Sequence, residues 1–123
     1  IIGEGKIDPF GNHPNYTFAQ AENKDQIFAC WIINARNVAI RDVQFDNSSY
    51  WNLRLLFCDF VKIRGVKIFN HGNFNSDGID IDGCRNVTLS DCIIDASDDA
   101  ICLKSEGDRA TENVVISNCV VSS

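Results

Sequence analysis

Three aspartates hold the densest chemistry in the chain. Asp77 stands in Asn75-Ser-Asp-Gly78, and Asp98 and Asp99 follow in Ser97-Asp-Asp99, 21 and 22 residues further on. Carboxylates gathered in one place repel, so at least one is expected to have a raised pKa. A single site can then present both an acid and a base. The same residue types also bind Ca²⁺ or simply sit solvated at turns. What decides between these is whether the fold brings residue 77 beside residue 99.

An internal repeat supplies the means. Residues 38–47, 61–70, 87–96 and 114–123 share one pattern, their starts 23, 26 and 27 residues apart. Each reads apolar-x-apolar, two turn-like residues, then apolar-x-apolar, which is two short strands with a bend between them. A further strand precedes each segment, at residues 30–33, 53–56, 79–82 and 101–104. Asn, Asp, Gly and Ser crowd the joints, as turns require. Several short strands per repeat predict an all-β fold, a parallel β-helix of about four full coils. A leucine-rich repeat lacks its consensus here, and a β-sandwich would not explain the register.

Such a solenoid stacks like positions into columns. Ile32, Leu55, Ile81 and Leu103 form one inward column, and Cys30, Leu53, Ile79 and Ile101 its neighbour. Facing outward, one column reads Trp31, Arg54, Asp80, Cys102 and the next Ile33, Leu56, Asp82, Lys104. Gly78 aligns with Ala100, so Asp77 aligns with Asp99, one inter-strand spacing of about 4.8 Å away. Asp98 neighbours both at a different angle. Stacked like charges bring no structural benefit, which adds some weight to catalysis, although spacing alone still fits a solvated turn or a Ca²⁺ site. Lys104 is placed either to bind an anionic substrate or to neutralise its column-mate Asp82. Arg54 carries the same choice, with pairing to an aspartate favoured. Trp31, Tyr50 and Trp51 fit packing better than a sugar-stacking surface.

Length and composition bound the rest. One hundred and twenty-three residues suit one domain, and 45% hydrophobic with 23% charged residues is the composition of a folded chain. A net charge of −6 and a pI near 4.7 argue against nucleic acid as a partner. No apolar run is long enough to cross a membrane as a helix. No Cys/His cluster has zinc spacing, so no metal and no cofactor is expected. The six cysteines, Cys30, Cys58, Cys84, Cys92, Cys102 and Cys119, fit buried small apolar residues better than disulfides. Val43, Val66, Cys92 and Cys119 share a column, and Cys58 lies beside Cys84. Asn15, Asn47 and Asn86 open N-x-[ST] matches, meaningful only in a eukaryotic secretory route. The opening Ile1-Ile2-Gly3 without Met reads as the inside of a longer protein, so residues 1–123 are expected to be one partial β-helix domain.

The combination of Asn75-Ser-Asp-Gly78 with Ser97-Asp-Asp99 resembles the polygalacturonase family, glycoside hydrolase family 28. Residues 47–52, 61–68 and 100–105 are similar to family segments as well, and the resemblance spans roughly residues 27–123. It implies a right-handed parallel β-helix that hydrolyses pectic polysaccharide, galacturonan or a related chain, with inversion, and an extracellular or periplasmic location. By position it implies Asp98 as the general acid, Asp77 and Asp99 as the pair that activates water, and Asn75 as a substrate-binding or orienting residue. Lys104 is the basic residue best placed to hold a uronate carboxylate.

Departures from the family pattern are definite. Ser76 stands where Thr is usual, and the later Gly-His-Gly and Arg-x-Lys elements are absent. Neither His13 nor His71 can take the family histidine's role, so the 123-residue chain alone is expected to be inactive. Two other readings remain at this point. One is a pectate lyase on the same fold, with carboxylates for Ca²⁺ and a basic residue removing a proton. The other is a non-catalytic β-helix segment for carbohydrate binding or structure.

Overall fold

A computed structural model describes residues 1–16 and 26–123. Its strands are β1 (Lys6–Ile7), β2 (Cys30–Ile33), β3 (Arg36–Arg41), β4 (Gln44–Asp46), β5 (Leu53–Leu56), β6 (Asp59–Arg64) and β7 (Lys67–Asn70). They continue with β8 (Ile79–Asp82), β9 (Arg85–Ser90), β10 (Ile93–Ala96), β11 (Ile101–Lys104), β12 (Glu112–Ser117) and β13 (Val120–Ser122). A single 3₁₀ turn, Pro14–Tyr16, is the one helical element among the described residues. Every strand pair is parallel, in three sheets of order β2-β5-β8-β11, β3-β6-β9-β12 and β1-β4-β7-β10-β13. The chain visits the sheets in turn, which is a β-solenoid of about four stacked coils.

The predicted columns are the observed registers. Ile32, Leu55, Ile81 and Leu103 pair in succession, as do Trp31, Arg54, Asp80 and Cys102. Inward residues of all three sheets close one apolar core, with Phe45, Leu55, Ile63, Ile81 and Leu89 almost fully enclosed. Leu103 belongs to the same inward column but is 54% exposed, because β11 is an edge strand of its sheet.

The corners follow from backbone chemistry. One stacks Asn34, Phe57 and Gly83, another Asp42, Gly65, Asp91 and Asn118, all with positive φ. Left-handed backbone is least costly for Gly, Asn and Asp, which explains their crowding at these joints. The bends after β2, β5 and β8 and those after β3, β6, β9 and β12 are each two residues long. By contrast, the joints after β4, β7 and β10 run to six, eight and four residues. It is this third corner that carries Asn75, Asp77, Asp98 and Asp99.

All six cysteines are free. Cys58, Cys84 and Cys92 are buried, and the Cys58 amide donates to Cys84 Sγ at 3.3 Å across the stack. Cys30, Cys102 and Cys119 are only partly enclosed, and Cys102 points outward from β11. The glycosylation matches fare variously. Asn47 donates its amide to Asp8 at 3.1 Å, and Asn86 accepts from Asn113 at 3.2 Å. The match at Asn15 runs through Thr17, which lies outside the described residues.

Candidate active site

The site forms where the third corner enters the β2-β5-β8-β11 sheet. The Gly78 amide donates to the Asp99 carbonyl at 2.9 Å, and the Ile79 amide to that of Ala100 at 3.0 Å. Asp77 and Asp99 are therefore next-rung neighbours, as the repeat predicts. Asp77 is buried, whereas Asp98 and Asp99 are exposed. The charge of Asp98 acts on Asp77, and Asp99 hydrogen-bonds the Cys102 thiol on the outward face of β11. The three aspartates thus share one end of two adjacent strands, one sheltered and two open to solvent.

The backbone at Asp77 is held from three sides. Its carbonyl accepts from the Asn52 amide and from Asn70 Nδ2, both at 2.9 Å. Asn70 is fully buried, and its side chain also accepts from the Ser48 amide and donates to the Tyr50 carbonyl. Ser76, the residue in place of Thr, locks the preceding loop by accepting from the Asn73 amide and donating to the Asn73 carbonyl. Gly78 has no room for a side chain. A Cβ there would sit 2.4 Å from the Ala100 carbonyl oxygen and 2.6 Å from an Ile94 methyl. Gly78→Ala is expected to destabilise the fold by about 1–3 kcal/mol, read as a lower urea midpoint. The rung would have to spread at the residues that carry the acids.

Lys104 corrects one sequence expectation. It is in register with Asp82, yet Nζ reaches across to Asp80 Oδ1 at 3.3 Å and Asp77 Oδ2 at 3.4 Å. Asp82 instead pairs with Arg54 at 2.7 Å and accepts the Glu106 amide. A lysine stem is long enough to cross diagonally, and two enclosed carboxylates attract the ammonium more than one already paired with arginine. Outward orientation did not mean exposure either, since Asp80 and Asp82 are both 0% exposed beneath this cover.

Electrostatics follow from the enclosure. Burial pushes the Asp77 carboxyl above the ordinary range; the Asp80 hydrogen bond and Lys104 pull it back, and the Asp98 charge raises it further. Asp80, missed as a site residue in the sequence, is pushed up to about 8, by burial first and then by the charge of Asp77. Burial works against the Lys104 ammonium, but the charges of Asp80 and Asp77 outweigh it and hold it above the usual lysine value.

An aromatic wall borders the cluster. Tyr50 and Trp51 stack at 4.8 Å, with Phe28 edge-on to both and Trp31 beside Phe28. The Lys104 ammonium lies 3.8 Å from the centre of the Trp51 ring. Trp51 is packed, as expected, and its indole donates to Asn75 Oδ1 at 3.2 Å. Trp31, in contrast, is 47% exposed, with Phe28 against its ring and the Arg54 guanidinium 5.5 Å from its centre. His71 stands apart on the β7 side, paired with Asp95 at 2.9 Å. No group of His, Cys, Asp and Glu among the described residues has the geometry of a metal site.

The family model for glycosyl hydrolases family 28 matches residues 1–123. The chain belongs to that family. Among its relatives, a Juniperus ashei protein named Polygalacturonase is 30% identical over 119 residues, which is 90% of this chain and 24% of that protein. A Vitis vinifera protein named Probable polygalacturonase is 30% identical over 79 residues, covering 63% of this chain and 16% of the relative. The chain therefore spans about a quarter or less of the curated relatives it matches. The fold is shared with a crystal structure of a glycosyl hydrolase candidate from Parabacteroides merdae. That match has a TM-score of 0.64 at 19% identity and covers 74% of this chain and 39% of the other.

Proposed function

We propose that this family 28 chain carries the acid and base carboxylates of an extracellular or periplasmic hydrolase that cleaves glycosidic bonds in an anionic pectic polysaccharide with inversion. The observation that carries the reading is the pairing of a sheltered Asp77 with the exposed Asp98-Asp99 on the next rung. Inversion needs an acid on one side of the bond and a base-bound water on the other, roughly 6.5–9.5 Å apart. Asp98, open to solvent, donates the proton to the glycosidic oxygen. Asp77 and Asp99 hold the attacking water between them and take its proton. The bond from the anomeric carbon to the leaving oxygen breaks as the bond to water forms.

Asn75, fixed by Trp51 and the Tyr50 hydroxyl, presents its remaining amide valence to a sugar. The exposed part of the Trp31 ring suits the apolar side of a pyranose ring. Lys104 serves the substrate through charge: it offsets the buried carboxylates, so that a uronate meets less repulsion at the cleft.

Product analysis in the full-length protein tests the reading. Polygalacturonate should yield saturated reducing ends whose first-formed anomer is opposite in configuration to the bond cleaved. Ultraviolet-absorbing unsaturated ends with EDTA sensitivity would instead mean lyase chemistry. Because the Asp77 base is lost on protonation and its pKa is raised, the acid limb of kcat/KM should lie above the ordinary carboxylate range. A limb at or below about pH 4 would remove Asp77 from the role of base.

A further inference from the structure

Asp80 is the most enclosed carboxyl of the cluster, and the catalytic roles above make no use of it. It follows Asp77 by three residues, on the outward side of β8, and none of its surface is exposed. Neither of its oxygens, nor Asp77 Oδ1, finds a hydrogen-bond donor when both acids are charged, and all three are shut off from solvent. Lys104 lies within ion-pair distance of both residues, but one ammonium leaves an excess negative charge between two carboxylates. The other charged groups around Asp80 do not relieve it. Arg54 from β5 is engaged with Asp82 and Glu106. Cys102 from β11 and Asp98 and Asp99 ahead of that strand bring no positive charge. What the enclosure lacks is one proton between Asp77 and Asp80.

We propose that Asp80 is a positioning residue that acts through Asp77: it carries that proton and donates it in a hydrogen bond to the Asp77 carboxylate. With the proton in place, Asp77, Asp80 and Lys104 together are neutral. Asp77 is then gripped by a hydroxyl and by an ammonium, in one orientation toward the water it activates. Without the proton the trio is anionic, Asp77 loses its donor, and an anionic polymer is repelled. The role in turnover rests on the hydrolase reading above; the shared proton does not.

Two measurements separate these claims. Carboxyl ¹³C NMR of the full chain should show Asp80 titrating at about pH 8, with that inflection absent in Asp80→Asn. An Asp80 inflection in the ordinary range near 4 would overturn the shared proton, and this needs no variant to fold and no activity. Asparagine keeps a donor but cannot ionise, so in Asp80→Asn the alkaline limb of kcat/KM on polygalacturonate should move up by at least one pH unit. Asp80→Ala removes the donor, and Asp77 should then titrate about one unit or more higher than in the wild type, with Asp80→Asn restoring it. An alkaline limb unmoved by Asp80→Asn would overturn the positioning role. Absence of wild-type hydrolysis on any pectic polymer would sink the functional reading while leaving the NMR result intact.

Discussion

Asp98→Asn in the full-length protein should lower kcat for pectic polymer hydrolysis by roughly 10²–10⁴-fold, the usual contribution of a positioned general acid. KM should change little. The argument is geometric: Asp98 is exposed on the rung next to Asp77, close enough for its charge to be felt there. It is thus placed to meet a leaving oxygen that a buried residue cannot reach. Asparagine preserves size and removes only the transferable proton. The diagnostic comparison is substrate dependence. A substrate with a good leaving group needs little protonation, so its hydrolysis should lose far less rate than the polymer's. Equal losses on both would mean that Asp98 positions the chain and is not the acid. An undiminished rate would remove it from the mechanism.

Lys104→Met should destabilise the fold by about 3 kcal/mol at pH 7, since removing one partner of a buried ion pair leaves charge uncompensated. Methionine keeps an apolar stem of similar length and removes only the charged head that lies over Trp51, so the loss isolates the ammonium. The pH dependence is the sharper test. Both carboxyls already have raised pKa values, and losing the ammonium raises them again. The native variant then holds protons that the unfolded chain has released above about pH 4. A state that binds extra protons loses stability as pH rises. The variant's deficit should therefore be small near pH 4 and grow toward pH 8, as seen in urea midpoints at several pH values. A deficit independent of pH would assign Lys104 to packing against Trp51.

How far such a site is legible depends on whether it follows the backbone or the side chains. Rungs are backbone relations, so the 23–27-residue period was enough to place Asp77 beside Asp99 and Cys58 beside Cys84. The clamp on Asp77 and Asp80 is a side-chain relation that crosses columns, and register alone assigned Lys104 to Asp82. The available signal was charge balance. Asp80 and Asp82 point the same way from one strand, with arginine on the rung before and lysine on the rung after, enough countercharge to enclose both. Asn70 was legible in a weaker way. It ends its repeat as Asn47 ends the previous one, but only the folded turn shows it donating to the Asp77 carbonyl. Trp31 and Trp51 could not be told apart without the folded contacts that bury Trp51 against Lys104 and Asn75 and leave Trp31 half exposed.

The unequal corners have a consequence for how such a protein diversifies. Two of the three bends are two residues long at every joint but one, each of those short bends with a left-handed residue. The exception, seven residues between β11 and β12, still leaves β12 in register on β9. The remaining bend tolerates four, six or eight residues while the strands on either side stay paired. Reactive groups rooted at that bend can acquire new neighbours through insertion or deletion while the rungs beneath them keep their alignment. New substrate preferences can therefore arise on this scaffold without renegotiating its interior.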